Sequence, residues 1–161
     1  MSAHPRGAAQ PISDGLEARL VATIAPVFRH LLSHARRRPA WKSLTYQQYN
    51  VLRIIDGEKP IPQAEIARRL LVSAPVVTRL AASLVESEYV LRGTDPDDRR
   101  AVRLSLTPKG RRKVRAMRRE LLEAAAELLA PLAEDRRATI GTALEELQVL
   151  LPSGKDAARP R

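Results

Sequence analysis

Apolar residues recur at intervals of three and four along much of the chain, which is the spacing of amphipathic helices. The first such stripe predicts a helix that begins at Ser13 or Asp14 and ends at about Arg38. Pro26 lies inside that stripe, so we expect it to kink the helix or to break it at Ala25.

The middle of the chain predicts three shorter helices. Thr45 is placed to cap a helix that ends near Gly57, and an extended Pro-Ile-Pro spacer follows at 60–62. A short helix is predicted from Gln63 to Leu71, and the next helix begins at Ser73. The apolar ladder of this last helix comprises Val76, Val77, Leu80 and Leu84.

A period-two alternation then replaces the helical spacing. Residues 89–92 and 101–106 have the composition and alternation of two half-buried strands. The stretch Asp95–Asp98 between them has turn chemistry, because proline presets φ and aspartate bonds its own backbone. We therefore predict a β-hairpin that carries Arg99 and Arg100 at the exit of its turn.

The chain is predicted to be helical from the Thr107 cap to about Leu151, with an interruption at Pro131. The apolar surface of these helices is larger than a small domain needs for its own core. Such an excess is typical of helices that pair with a second copy of the chain. The apolar positions are Val114, Met117, Leu121, Ala124, Leu128, Ile140, Leu144, Leu147 and Leu151.

The elements together predict a mainly α fold with a small β-hairpin wing, in which a winged helix-turn-helix is flanked by N- and C-terminal dimerisation helices. We divide the chain into an N-terminal dimerisation helix region at 13–43, a winged helix-turn-helix lobe at 44–106 and C-terminal dimerisation helices at 107–151. The segments 1–12 and 152–161 are predicted to be disordered tails.

The distribution of charge along the chain suggests a class of binding partner. The chain has 161 residues and a formal net charge of +10, and residues 92–120 hold eleven Lys and Arg against four Asp and Glu. Residues 121–151 reverse the balance, with two against six. A basic middle beside an acidic helical end suggests a polyanion-binding face and a separate packing face, although an Arg-rich proteome is an alternative source of the charge.

Several classes of protein and site are excluded or disfavoured. The chain has no cysteine, so disulfides, thiolate metal sites and thiol redox sensing are excluded. We find no long apolar run and no signal-peptide pattern, and we expect a cytoplasmic protein without a membrane partner. No phosphate loop, catalytic triad or metal-ligand spacing indicates an enzyme or a cofactor, and no catalytic or metal-binding residue is predicted.

Specific residues then resemble a known family. The runs Gln63–Ala67, Val72–Ser73 and Val77–Leu80, and above all the stretch DPDDRRAVRLSLTPKG at 95–110, closely resemble the MarR family of transcription regulators. The similarity extends from about residue 44 to residue 115. It implies a homodimer that binds a palindromic operator, usually represses a nearby promoter and is often released by a small ligand.

The resemblance also implies roles for individual residues. Asp98 and Arg100 match the wing motif in which the arginine enters a minor groove, and Arg99 lies beside them. Another group matches the start of a recognition helix in the major groove, where Thr78 and Arg79 are expected to donate to bases or phosphates. This group comprises Ser73, Ala74, Pro75, Val77, Thr78 and Arg79, of which Ala74 and Val77 are expected to touch thymine methyl groups.

An effector pocket is the least specific expectation. Trp41, Tyr46 and Tyr49 cluster where the family often places a small aromatic or carboxylate ligand, with His30 and His34 nearby; ordinary core packing is the alternative. Glu88 stands where relatives often have a glycine that ends a helix. A basic architectural DNA-binding protein without strong sequence preference is the second hypothesis for the whole chain.

Overall fold

The computed structural model describes residues 15–57, 60–95 and 101–151. The predicted tails 1–12 and 152–161 and the predicted caps Ser13 and Asp14 lie outside these residues. So do residues 96–100, which include most of the predicted hairpin turn.

Helices dominate the described residues, and two of the three strands form a hairpin between the fourth and fifth helices. The elements are α1 (Leu16–Ala35), a 3-10 helix (Pro39–Trp41), α2 (Tyr46–Asp56), β1 (Ile61–Pro62), α3 (Gln63–Leu70), α4 (Ala74–Glu86), β2 (Val90–Thr94), β3 (Val102–Leu106), α5 (Pro108–Leu129) and α6 (Glu134–Leu150).

Helix α1 is one continuous helix, so the predicted break at Ala25 is wrong. Proline has no N–H, and its place in the helix therefore frees the carbonyl four residues earlier. That carbonyl belongs to Ala22, which is exposed and accessible to water. The helix loses one hydrogen bond at Pro26 without having to end there.

Two threonines begin helices as predicted. The Thr45 side chain accepts a hydrogen bond from the backbone N of Gln48, and the Gln48 side chain accepts one from the backbone N of Thr45, which completes a capping box. Thr107 caps α5 by accepting from the backbone N of Gly110 at 2.9 Å. These caps fix the first residue of α2, at the start of the winged helix-turn-helix lobe, and the first residue of α5, just after its end.

The sheet has the strand order β1–β3–β2, with both pairs antiparallel. Strand β1 was predicted only as an extended spacer; Ile61 pairs with Leu104, and Pro62 pairs with Arg103. Because β1 lies at the edge of the sheet, Pro62 is tolerated there despite its missing N–H. The extra strand ties the start of α3 to the hairpin.

The core lies where α2, α3, α4 and α5 meet the sheet. Leu52, Ile66, Leu84, Leu104 and Met117 are among its largest fully buried side chains, and each comes from a different element. Burial of this kind contributes roughly 1.5–3 kcal/mol per large apolar side chain, so the core holds the helix-turn-helix and the hairpin in one unit.

The terminal helices instead present apolar side chains outward. No residue of α6 is buried, and Leu144 is 59% exposed on the stripe predicted for that helix. In α1 only Ala35 is buried, whereas Leu16, Val21 and Ile24 are exposed. The described part of the chain therefore does not cover these apolar faces.

Candidate nucleic-acid interface

A tight turn joins α3 to α4. The backbone N of Leu71 bonds the oxygen of Arg68, and the backbone N of Val72 bonds the oxygen of Ala67, which is the hydrogen-bond pair of a Schellman motif. The motif places Leu71 in the left-handed region, at a φ of 54°. The turn sets α4 at a fixed angle to α3, as a helix-turn-helix requires.

Helix α4 divides sharply into a buried side and an exposed side. Val77, Ala81 and Leu84 are fully buried in the core. The prediction that Val77 touches a thymine methyl group is therefore corrected, because its side chain faces away from solvent. The other predicted contact residues are exposed and stay predictions: Ser73, Ala74, Pro75, Thr78 and Arg79.

The hydroxyl group of Thr78 already has two protein partners. It donates to the oxygen of Ala74 at 3.0 Å and accepts from Nε2 of Gln63 at 2.7 Å. A threonine hydroxyl has one proton and two lone pairs, so one acceptor position remains. In this arrangement Thr78 can accept from an adenine or cytosine amino group, whereas donating would require it to release Ala74.

The hairpin lies against α4. Nη2 of Arg92 on β2 donates to the backbone oxygen of Thr78 at 3.3 Å, which links strand and helix directly. Further along the hairpin, the backbone N of Asp95 donates to the oxygen of Ala101, and Nε of Arg103 donates to the buried Asp95 carboxylate. These contacts orient the base of the wing relative to the exposed side of α4.

The predicted wing-tip residues Asp98, Arg99 and Arg100 lie outside the described residues. The strands that lead to them end at Thr94 and begin again at Val102. Groove insertion by Arg100 therefore stays a prediction.

An acidic residue in the first turn of α3 pairs with two basic residues in its last turn. Hydrogen bonds from Arg68 and then Arg69 lower the pKa of Glu65 to about 2. Glu65 lies in the first helical turn, where the helix dipole also favours a carboxylate. The carboxylate stays ionised at neutral pH and holds both guanidinium groups along α3.

Three of the five predicted effector residues, Trp41, Tyr46 and Tyr49, form an aromatic cluster with Phe28 of α1. The ring centroids of Trp41 and Tyr49 are 5.0 Å apart, and those of Phe28 and Tyr46 are 4.8 Å apart in an edge-on arrangement. Trp41 and Tyr49 are buried, whereas Tyr46 is half-buried. Burial raises the pKa of Tyr49, while the charge of Arg53 opposes the shift.

His30 and His34 stack on each other one helical turn apart, with ring centroids 4.1 Å apart. Nδ1 of His34 lies 3.0 Å from the backbone oxygen of His30. Within residues 15–57, 60–95 and 101–151 no group of three or more His, Asp or Glu side chains is arranged to hold a metal ion. Across the same residues, no helix has the length and apolar character needed to cross a membrane.

An exposed helix-turn-helix face beside a β-hairpin, held by one core, defines a winged helix-turn-helix protein of the DNA-binding class. The model of the MarR family matches residues 44–102. A helix-turn-helix transcriptional regulator of Mycobacterium bovis is 29% identical over 84% of this chain and 94% of its own length. Wild-type MarR of E. coli has a structure that superposes with a TM-score of 0.70 at 25% identity, covering 90% of this chain and all of that one. The matched residues 44–102 contain α2, α3, α4, β2 and the start of β3, so the similarity to the MarR family of transcriptional regulators covers the helix-turn-helix and much of the hairpin.

Two more matches extend the comparison. The transcriptional regulator TtmR of Methylorubrum extorquens is 37% identical, over 52% of this chain and 40% of its own. PcaV of Streptomyces coelicolor, whose structure contains its natural ligand, shares the fold with a TM-score of 0.60 at 21% identity, covering 88% of this chain and 97% of its own.

Three residues that shape the interface were missed from the sequence. Gln63 was assigned only as the start of a helix, Arg92 only as part of a strand, and Arg103 only as an alternating polar position. The available signal was weak, because a polar side chain on a half-exposed element is usually solvated. Only the packing of α4 against β2 reveals that Arg92 reaches a helix carbonyl.

Proposed function

We propose that this chain is a homodimeric repressor that binds a pseudo-palindromic operator through α4 and the wing. The observation that carries the proposal is the direct contact between Arg92 and Thr78, which joins the exposed side of α4 to the hairpin. A rigid pair of this kind is suited to reading a major groove and the adjacent minor groove at the same time. Arg79, exposed on α4, and Arg100, at the predicted wing tip, are the expected principal donors to DNA.

The dimer is supported by the apolar faces of the terminal helices. The exposed stripe of α6 includes Ile140, Leu144 and Leu147, and α1 adds Leu20 and further apolar side chains. A second copy related by a two-fold axis would bury both faces and would keep them from solvent.

A two-fold dimer presents two recognition helices to one face of the duplex. The expected operator therefore has half-sites about one helical turn, ~10 bp, apart. Repression follows if such a site overlaps a promoter, because the bound dimer then blocks access to that promoter.

We further propose an effector site at the aromatic cluster. Trp41 and the half-buried Tyr46 supply apolar walls beside Tyr49, and His30 and His34 are available for an anionic group. PcaV, which shares the fold, has been solved with its natural ligand. A gel-shift titration with aromatic carboxylates should release wild-type protein from its operator, and an unchanged ligand response in Trp41→Ala would remove Trp41 from the site.

Selection of bound sequences from random duplex DNA tests the proposal. A regulator of this type enriches one pseudo-palindromic motif, and a dimer occupies each selected duplex. The competing hypothesis, an architectural protein that coats DNA through its charge, predicts no enriched motif and equal affinity on every sequence. If the protein sediments as a monomer and still selects a motif, the proposed dimer is wrong but the proposed sequence-specific DNA binding is supported.

A further inference from the structure

The segment that leads from α1 to α2 is fastened to α5 by a set of bonds that the proposed function has not used. The two ends of the Arg38 guanidinium donate to Glu123 at 2.6 Å and to Glu127 at 2.5 Å. Two residues further on, the backbone N of Ala40 donates to both carboxylate oxygens of Glu120, at 3.0 and 3.2 Å. We call these five residues the clasp.

Glu120 is the buried charged residue of the clasp. Glu120 is only 8% exposed and, with Asp95, is one of two buried charged residues in the described part of the chain. A buried carboxylate requires a donor to offset its lost hydration, and here the single N–H of Ala40 is shared between both carboxylate oxygens. The neighbouring indole Nε1 of Trp41 donates to the backbone oxygen of Met117, which holds the same segment down.

A carboxylate is unexpected at position 120, on the buried face of α5. The adjoining inward positions of α5 are Met117 and Ala124, both fully buried, so an apolar side chain would extend their stripe. Replacing a buried charge by a well-packed apolar group is often neutral or stabilising. Stability alone therefore does not explain Glu120, whereas its bifurcated hydrogen bond from Ala40 fixes where the connecting segment crosses α5.

The place where the connecting segment crosses α5 is important because few stretches of chain join the winged lobe to the terminal helices. The winged lobe is connected to the apolar terminal helices by only two stretches of chain: the segment between α1 and α2, and α5 itself. The clasp fastens the first stretch to the second. Its bonds therefore lie at the junction where the lobe meets the terminal helices.

We propose that Glu120 and Arg38 are positioning residues that set the orientation of the winged lobe relative to the dimer helices, and so the half-site spacing that the dimer accepts. This inference rests on the proposed function, since it needs a dimer that binds two half-sites. Glu120 contributes the larger share, because its bonds are buried. The Arg38 pairs are partly exposed, and exposed ion pairs are weak and screened by salt.

The test compares two substitutions of Glu120 that remove the same charge. Glu120→Ala removes the acceptor, whereas the side-chain oxygen of Glu120→Gln can still accept from the Ala40 N–H. Affinities are measured on the selected operator, on the same operator with one to three base pairs added or removed between its half-sites, and on a duplex with a single half-site.

The spacing preference is the ratio of the affinity for the operator to that for an altered spacing. In Glu120→Ala we expect this ratio to fall about tenfold, within the usual range of coupling between sites. Binding to the single half-site should equal that of wild type, because the lobe itself is intact. Glu120→Gln should keep most of the wild-type ratio, and both variants should sediment as the wild type does.

Three outcomes would overturn the inference. An unchanged ratio in Glu120→Ala would show that the clasp does not set spacing. An equal loss of affinity on all duplexes, including the single half-site, would show that Glu120 only supports the fold. A wild-type protein without any spacing preference would contradict the proposed function itself, and the inference with it.

A second pair of variants decides the matter if Glu120→Ala does not fold. Arg38→Gln and Arg115→Gln each remove one positive charge, but Arg115 is an exposed residue of α5 outside the clasp. We expect a lower spacing preference in Arg38→Gln than in Arg115→Gln. Equal spacing preferences in the two variants would contradict the assignment of Arg38 as a positioning residue.

Discussion

The first turn of α5 is packed against backbone at Gly110, and this contact makes a sharp prediction. A Cβ atom added to Gly110 would lie 2.0 Å from the backbone oxygen of Tyr89 and 2.9 Å from its carbonyl carbon. Relaxed contacts between carbon atoms are about 3.5–4.0 Å long. The obstacle is backbone, so Gly110→Ala forces α5 away from the start of β2.

The cost follows from what this movement disrupts. Overpacking in a well-packed region costs about 1–3 kcal/mol, and more when no flexible side chain can move aside. The oxygen of Tyr89 also accepts a hydrogen bond from the backbone N of Thr107 at 3.1 Å, and loss of that bond adds about 1 kcal/mol. We expect Gly110→Ala to lower the free energy of unfolding by about 4 kcal/mol.

Urea unfolding of Gly110→Ala and Gly93→Ala at one protein concentration measures this difference. Gly93 lies in β2, has no atom within 4 Å of its added Cβ, and is the matched control. Gly93→Ala should stay within about 0.5 kcal/mol of wild type. The reasoning is refuted if Gly110→Ala is as stable as Gly93→Ala.

Three further predictions address the interface, the dimer and the acid limit of stability. Replacing Leu144 and Leu147 together by Glu should convert the dimer into monomer or aggregate in sedimentation; an unchanged dimer would place the interface elsewhere. Arg100→Ala should weaken operator binding by about 1–3 kcal/mol and lower the salt slope by about one unit, whereas Arg111→Ala should have a much smaller effect. Equal effects of these two substitutions would contradict the assignment of the wing tip. The folded-state pKa of Glu65 is about 2, below its unfolded value of ~4.3, so its contribution is present above pH ~4.3 and is lost as the pH falls towards 2. The difference in unfolding free energy between wild type and Glu65→Gln should therefore shrink between pH 5 and pH 3, and a difference that stays constant would count against the ion pairs.

Local chemistry was the most predictable part of the fold. Thr45 and Thr107 begin helices because their side chains satisfy backbone N–H groups that no helix can satisfy internally. Each cap depends only on residues close in sequence. Glu88, which follows α4, has a left-handed conformation with a φ of 60° that was not predicted for it.

Features that depend on distant residues were not predictable in this way. Val76 and Val77 are equally apolar, and only packing against the core decides that Val77 is the buried one. Strand β1 exists because β3 lies beside it, not because residues 61–62 favour a strand. The burial of Glu120 was not predicted, because buried helix positions are recognised from their apolar residues and a glutamate does not fit that pattern.

The central claim, sequence-specific reading of DNA by the winged lobe, is tested most directly by one ratio. This is the ratio of the dissociation constant on a scrambled duplex to that on the selected operator, measured at one salt concentration. A sequence-specific regulator should prefer its operator by a factor of ~10³ or more. A ratio near one, with the same steep salt dependence on both duplexes, would show that the positive charge alone binds DNA and would contradict the account.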